Sequence, residues 1–363
     1  MSKYPFVSLC TPTFNRRHFF PILFEMFKLQ TYPKERMEWI IIDDGTDKIG
    51  DLIKTSGIKQ ITYIELPEKL KLGKKRNLMH NYCKGSIIIY VDDDDYFPPE
   101  RVSHSVELLM NSKNGELIAG SSEIYLYFKD KGLYQFGPYR PNHATAGTFA
   151  FKRELLEITR YDDNVSIGEE SYFLKNYTIP MIQLNPIKTI LVFPHNHNTF
   201  DKVKLLDNYN ENFGPIKKCV DKSIDNFIKG DKSILIKDFF LNKMHKILLN
   251  YKEGEPNNKP DVILQTKEIE IKRNKIELEK MNNLEDINNK NISKMSNKEL
   301  YEEIIKRDCI IQKLNDYIKE QKPVMLMTSD KKTIPLTNEQ IYNIIMEQQL
   351  TINKQKEIID NMK

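Results

Sequence analysis

An α/β fold is predicted: a mostly parallel sheet with helices on both faces, followed by an α-helical C-terminal extension. Three observations predict it. Up to about Phe200, short β-rich apolar runs alternate with helical stretches and turn residues. The strands of interest all end in polar residues, where α/β sheets place their ligands. After about Asn250 the texture changes to Lys, Asn, Glu and Ile with few aromatics.

Phe6 to Thr11 reads as a first strand ending at Pro12, and Arg17 to Gln30 carries Phe20, Leu23, Phe24 and Phe27 at helical spacing. Trp39 to Ile42 and Ile61 to Leu66 are further strands. Lys74 to Cys83 is a helix leading into a fourth strand, Ser86 to Val91. This strand–helix–strand rhythm calls for a sheet covered on both faces. A domain over 1–250 is expected, with core motifs in 5–200 and helical closure in 201–250, then an extension over 251–363. Gly254 to Lys259, flanked by Pro256 and Pro260, reads as the linker. In the extension, Leu300, Ile304, Ile311, Leu314 and Ile318 fit a heptad behind a Ser296/Glu299 capping box. Ile345, Ile352 and Ile359 repeat the device behind Thr337 and Gln340. Two amphipathic helices packed on the main domain or on each other account for this pattern. So does a coiled-coil arm making a homodimer.

Composition narrows the function. With 55 basic and 51 acidic residues in 363 and a net charge of +4, no single-sign excess drives nucleic-acid binding. Cys10, Cys83, Cys219 and Cys309 form no C-x-x-C pair and read as packing residues in a reducing compartment. The start lacks an apolar leader and no run approaches a transmembrane span, so a soluble, cytoplasmic protein is expected.

The most informative segment is Asp92, Asp93, Asp94 and Asp95 at the end of the fourth strand. Four adjacent carboxylates repel one another and call for a cation. Oxygen ligands suit Mg²⁺ or Mn²⁺, which keep positions open for water and phosphate oxygens. Alternation along an extended chain would send Asp92 and Asp94 to one side, Asp93 and Asp95 to the other. A second acidic strand end, Asp43 and Asp44 before Gly45, lies earlier in the same sheet.

Five pieces in order carry a resemblance. They are TPTFN (residues 11–15), QTY (30–32), IDDGTD (42–47), GKKRN (73–77) with Lys75 where the pattern has alanine, and DDDD (92–95) followed by Pro99. Over roughly Pro5 to Thr199 the chain resembles glycosyltransferase family 2, with the GT-A fold and inverting transfer from a nucleotide sugar. The resemblance implies that Asp44 bonds the base beside a wall formed by Pro12, Thr13 and Phe14. Arg76 would sit by the base or the diphosphate, Asp92 or Asp93 at the ribose, and Asp94 on the metal. It also implies a UDP-sugar donor. A carboxylate and main chain suit a base with mixed donors and acceptors, and a divalent metal makes the diphosphate a better leaving group.

Inverting transfer needs a base for the acceptor hydroxyl. Glu169 and Glu170 come directly after Gly168, and Phe173 lies three residues on. This resembles the family's G-E-D-x-x-F, whose second acid is the base; Glu170 takes that place. Glutamate for aspartate moves the proton acceptor by about one bond, so Glu169 stays beside it as an alternative. His195, two residues before His197, is the expected histidine of the metal shell. His143 and Thr145 are expected to face the acceptor, and Tyr125, Tyr127, Tyr134 and Tyr139 to stack on sugars or pack the core. A dinucleotide oxidoreductase is excluded because Thr11 to Arg16 contains no glycine. The rival from another class is a catalytically inactive sugar-nucleotide or glycan-binding module on the same fold.

Overall fold

The computed structural model describes residues 4–206, 209, 215–288, 296–319, 325–327, 333–336 and 338–361. They form two compact units, Met1–Gln265 and Thr266–Lys363.

The first unit is built on a seven-stranded sheet. Strands β1 (Val7–Thr13), β2 (Met37–Asp43), β3 (Ile61–Glu65) and β4 (Ile87–Tyr90) run parallel in the order β3-β2-β1-β4. Every residue of β2 and β4 is buried, as a sheet covered on both faces requires. Covering elements include α1 (Phe20–Leu29), α2 (Gly50–Thr55), α3 (Leu72–Tyr82) and α4 (Arg101–Met110). Four more strands are β5 (Ile118–Gly120), β6 (Ile124–Phe128), β7 (Gly132–Phe136) and β8 (Ala150–Lys152). The sheet continues past β4 through β8, which pairs antiparallel with β4 and β5, to β9 (Met181–Gln183). The hairpin β6–β7 joins a second sheet with β10 (Leu191–Val192) and β11 (Ile216–Lys218). A short helix α5 (Glu170–Phe173) precedes β9.

Register aligns the functional ends. Thr13 pairs with Asp43 across β1 and β2, and Cys10 pairs with Tyr90 across β1 and β4. Strand β1 runs two residues past the expected end because Pro12 gives up only its own N–H. Trp39 is held on Phe27 (ring centroids 5.2 Å, stacked) and donates to the Thr11 hydroxyl at 2.9 Å, which donates to the Val91 carbonyl at 2.6 Å. Arg101, fully buried, donates to the carbonyls of Tyr90 and Phe149 and braces the end of β4. Although distant in sequence, Cys10 and Cys83 meet with sulfurs 3.3 Å apart as free, buried thiols. Burial and the bond to Cys83 push the Cys10 thiol well up.

The unit closes with α6 (Ile234–Asp238), a π-helical turn at Phe239–Lys243, α7 (Met244–Leu248) and two 3₁₀ turns, Lys252–Gly254 and Pro256–Asn258. The stretch expected as a linker therefore belongs to the first unit. Its Gly254 carbonyl accepts from Arg16, the Glu253 carbonyl just before it accepts from Asn15, and the division falls after Gln265 rather than Asn250.

Helix α8 (Pro260–Asn288) begins here. In the second unit α9 (Asn297–Lys319) and α10 (Asn338–Asn361) pack antiparallel. Leu300 and Ile304 meet Ile352 and Ile359, while Leu314 meets Ile341 and Ile345. The heptad faces that a dimer would have used are thus buried on each other within one chain. Ser296 and Glu299 form the expected cap. Arg307 interrupts the heptad as a buried partner of Glu303 at 2.9 Å. Thr337 and the side chains of Ile318 and Gln340 lie outside the described residues.

A truncation after Gln265 is expected to keep the cooperative unfolding of the first unit. Ending at Asn250 removes buried Tyr251 among others, a loss of about 3–5 kcal/mol for a large aromatic. Urea titration of both truncations measures the difference.

Candidate active site

At the carboxyl end of β1 the chain turns through Asn15, whose φ of 52° is one that asparagine tolerates well. Its amide oxygen accepts from the N–H groups of Thr46 and Asp47 at 2.7 and 3.0 Å, locking the β1 turn to the β2 turn. Gly45 is required there, because a Cβ would lie 2.5 Å from that oxygen. Asp43 orders the β2 loop by accepting from Gly45 N, Ile49 N and the Tyr63 hydroxyl. Asp44 points the other way. It accepts from Leu70 N at 2.7 Å and forms a buried ion pair with Lys75, whose ammonium also donates to the Thr13 carbonyl at 3.1 Å. Burial pushes the Lys75 pKa down against the pull of Asp44. Phe14 stands half-buried beside this pair with the Lys69 ammonium 5.4 Å from its ring centroid.

The four-aspartate segment does not alternate as an extended strand would. Strand β4 ends at Tyr90, and the chain turns at Asp93 and Asp94. These two share Arg16, whose Nε lies 3.8 Å from Asp93 and 3.6 Å from Asp94. Asp95 is buried against Lys202 at 3.6 Å. Asp92, the most exposed, faces Arg76 at 3.6 Å and rests on Gly147, where a Cβ would come within 2.5 Å of its carboxylate. Burial and the charge of Asp94 raise Asp93 to about 7. Asp95 is raised to about 8, mainly by burial. Burial opposes ionisation of Asp94 as well, but His195, Lys202 and Arg16 outweigh it and hold this carboxylate well below the usual range. The repulsion read from the sequence is real, and the chain's own arginines and lysines offset much of it.

His195 lies 3.3 Å from Asp94 through Nε2, while its Nδ1 accepts from His197 N at 3.1 Å. This fixes a neutral imidazole with its proton on Nε2. Burial lowers its pKa to about 4, so it is uncharged at neutral pH. Asn198 donates to Asp94 at 3.2 Å. Among the described residues no group of three or more His, Cys, Asp or Glu is arranged to hold a metal ion. The converging pair is Asp94 with His195, of which only Asp94 presents free electron pairs in this arrangement, since the His195 proton lies on Nε2 and its Nδ1 accepts from His197 N.

Arg76 joins the two halves of the cleft. It is buried, donates through Nε to Glu169 at 2.9 Å, and lies 4.4 Å from the Tyr90 ring centroid. Burial disfavours its charge, but Glu169 and Asp92 overcome this and raise its pKa. One guanidinium nitrogen, Nη1, is buried with no partner among the described residues. Glu169 is thereby committed to Arg76. Glu170, half-buried at the start of α5, has no such ion pair among the described residues; burial and the neighbouring Glu169 raise it to about 7.

A model of the family described as Glycosyl transferase family 2 matches residues 8–157. Those residues belong to glycosyl transferase family 2. An uncharacterized glycosyltransferase of Haemophilus influenzae is 28% identical over 108 residues, which are 30% of this chain and 36% of that protein. The chain thus spans about a third of the length of this curated relative. Among solved structures, a mannosyltransferase of Pyrobaculum calidifontis in complex with GDP-Man and Mn²⁺ is 16% identical, with a TM-score of 0.43 over 52% of this chain and 57% of the other. TarS 1–349 of S. aureus in complex with UDP-GlcNAc is 17% identical, with a TM-score of 0.42 over 52% and 59%.

The family-matched segment contains Pro12, Thr13, Phe14, Asp44, Arg76 and Asp92 to Asp94, all at the same end of the sheet. Glu169, Glu170 and His195 reach the cleft from beyond it. His143 stacks on Tyr177 (4.9 Å) and lies 5.0 Å from Tyr139, whereas Thr145 contributes its carbonyl to Thr148. Tyr125, Tyr127 and Tyr134 pack on Phe227, Phe193 and Phe128, so they serve the core or its edge and not a sugar face. Sequence reasoning missed Arg16, Lys202 and Lys259. A basic residue straight after TPTFN was the one available sign, for Arg16.

Arg76→Met should destabilise the fold by about 3–5 kcal/mol, because Glu169 would be left buried without its partner. Adding Glu169→Gln should recover much of that loss. Chemical denaturation of the two single variants and the double measures the coupling.

Proposed function

We propose that the protein transfers a sugar from a nucleoside diphosphate donor to an acceptor hydroxyl with inversion. The observation that carries this reading is Arg76. It contacts Asp92 at the acidic strand end and Glu169 in the carboxylate pair, bringing two segments 77 residues apart into one cleft. The donor base would lie against Asp44 and the Pro12–Phe14 strand end, with the ribose at Asp92 or Asp93. A uridine donor is the expectation carried by the family pattern.

Glu170 would act as the base. Its carboxylate takes the acceptor proton as the hydroxyl oxygen bonds to the anomeric carbon, and the bond from that carbon to the diphosphate oxygen breaks with its electron pair leaving on the diphosphate. Glu169, neutralised by Arg76, holds that guanidinium in place. Asp94 would hold Mn²⁺ or Mg²⁺, and His195 would join it only by moving its proton from Nε2 to Nδ1 and giving up the bond from His197 N; when bound the metal supplies positive charge to the leaving diphosphate. A soluble protein is consistent with the lack, among the described residues, of any helix long and apolar enough to cross a membrane.

Purified protein with Mn²⁺ and a panel of nucleotide sugars, scored for nucleoside diphosphate release, tests the activity. No release from any donor, alone or with glycan acceptors, would favour a binding module. Chelator should abolish turnover and added Mn²⁺ should restore it; Asp94→Asn should stay inactive under both conditions. Glu170→Gln should bind UDP and metal normally while transfer falls roughly 10²–10⁴-fold. Glu169→Gln should be milder, and Asp44→Ala should chiefly weaken donor binding.

The pH profile gives a separate check. A base with its pKa raised to about 7 is ionised above that value. Transfer should therefore climb as pH rises from 6 to 8, and the residual rate of Glu170→Gln should lose this rise. A flat wild-type profile would remove Glu170 from the role.

A further inference from the structure

The stretch 251–265 comes after the second sheet and runs back along the strand-end cleft. It is fastened at both ends of the site. The Tyr251 hydroxyl donates to Asp47 at 2.9 Å, and its ring stacks on His197 at 6.2 Å. The carbonyls of Glu253 and Gly254 accept from Asn15 at 2.7 Å and Arg16 at 3.3 Å. Asp261 holds the Lys69 ammonium at 2.6 and 2.7 Å and also accepts from the Ser166 hydroxyl. Gln265 accepts from Ser166 N at 2.7 Å and donates to the Asn164 carbonyl at 2.6 Å. One segment thus ties the loop beside Asp44 to the loop that leads into Gly168, Glu169 and Glu170.

Lys259 sits in the middle of this strap. It is buried, with 5% of its surface exposed. Its ammonium donates to the Thr199 hydroxyl at 3.1 Å and reaches the His197 carbonyl at 3.5 Å, both neutral acceptors. Among the described residues no carboxylate comes within the 4.0 Å of an ion pair with it. Burial above all, with Arg16 and Lys75 adding to it, pushes its pKa well down against the more distant pull of Asp93 and Asp94, so the protonated form lacks a close counter-charge. An ammonium carries three N–H donors, and a buried cation without a counter-ion is costly unless an anion arrives. The other cations around the cleft, buried Arg16, Lys75 and Arg76 and half-buried Lys202, all have a carboxylate within that distance.

We propose that Lys259 is a donor-binding residue that contacts the anionic diphosphate of the nucleotide sugar. The strap would thereby complete the donor site from a part of the chain about a hundred residues beyond the family-matched segment. This rests on the reading that the cleft takes a nucleoside diphosphate sugar.

The test is calorimetric titration of UDP, GDP and UMP, with Mn²⁺, into the full chain and its Lys259→Met and Lys259→Arg variants. Lys259→Met should weaken whichever diphosphate the wild type binds by about 10–100-fold, the worth of one charged hydrogen bond, and UMP by less. Lys259→Arg should stay within a few-fold of wild type. The melting temperature of Lys259→Met should hold or rise, since a buried amine with only two neutral acceptors has been replaced by an apolar side chain of similar length. Should that variant not fold, Lys259→Gln carries the same comparison. Diphosphate binding as tight as wild type in the Met or Gln variant overturns the proposal. So does equal weakening in the Arg variant with a lowered melting temperature, which marks a packing role. Failure of the wild type to bind either diphosphate overturns the donor reading itself and is seen before any variant is made.

Discussion

The structure around the cleft depends on keeping three buried carboxylates, Asp93, Asp94 and Asp95, at the end of one buried strand. Taking such charges out of water costs several kcal/mol each unless they are neutralised or paired. The chain meets this with cations from separate segments. Arg16 comes from the turn after β1, Arg76 from α3 toward Asp92, and Lys202 from the turn after β10. Raised pKa values on Asp93 and Asp95, beside the strongly ionised Asp94, divide the remaining repulsion unequally. Each loop around the sheet end is therefore placed by charge as well as by packing, and the loops converge because the acids are there.

Much of this was legible because parallel strands give strong local signals. Runs such as Ile87 to Tyr90 are apolar on both faces, and polar residues at their carboxyl ends mark the ligand edge whatever the loops do. The heptads of the tail were equally plain. Their partner was not, since a/d spacing shows that a face must be covered without saying by which chain. Lys75 was visible as a departure from the family pattern, yet its role required the fold. Only the sheet register brings α3 under the β2 turn, so that the ammonium reaches both Asp44 and the Thr13 carbonyl. The Asp92–Asp95 alternation failed because it assumed an extended chain where β4 had already ended. Gly254 to Lys259 misled for a related reason: proline and glycine mark a turn, and a turn packed onto a site has the same composition as a linker.

Glu169 and Glu170, which spacing leaves equivalent, differ in their partners. Both carboxylates come after Gly168 at the start of α5. Arg76 takes Glu169 at 2.9 Å, and that negative charge then helps to raise Glu170 toward neutrality. A carboxylate held by a guanidinium is a poor proton acceptor, whereas one poised near pH 7 is well matched to general-base work. On the proposed function the same arginine would touch the donor half through Asp92 and tune the acceptor half through Glu169. Donor binding and base strength would then be coupled through one side chain.

This coupling bears on how far the site extends along the chain. The family-matched residues end at 157, before either carboxylate of the pair, before His195 and before the strap. Up to that limit the cleft is built on parallel strands, where the geometry is fixed by backbone pairing. Beyond residue 157 its walls are loops, a four-residue helix and short turns, held by side-chain bonds such as those of Asp261 to Lys69 and Ser166. Backbone-paired edges tolerate little change in length or direction, while loops held by a few polar contacts can be rebuilt without disturbing the sheet. The segments beyond residue 157, the strap included, are thus the part of the cleft least fixed by backbone pairing, and Lys259 with its partners His197 and Thr199 lies on that part.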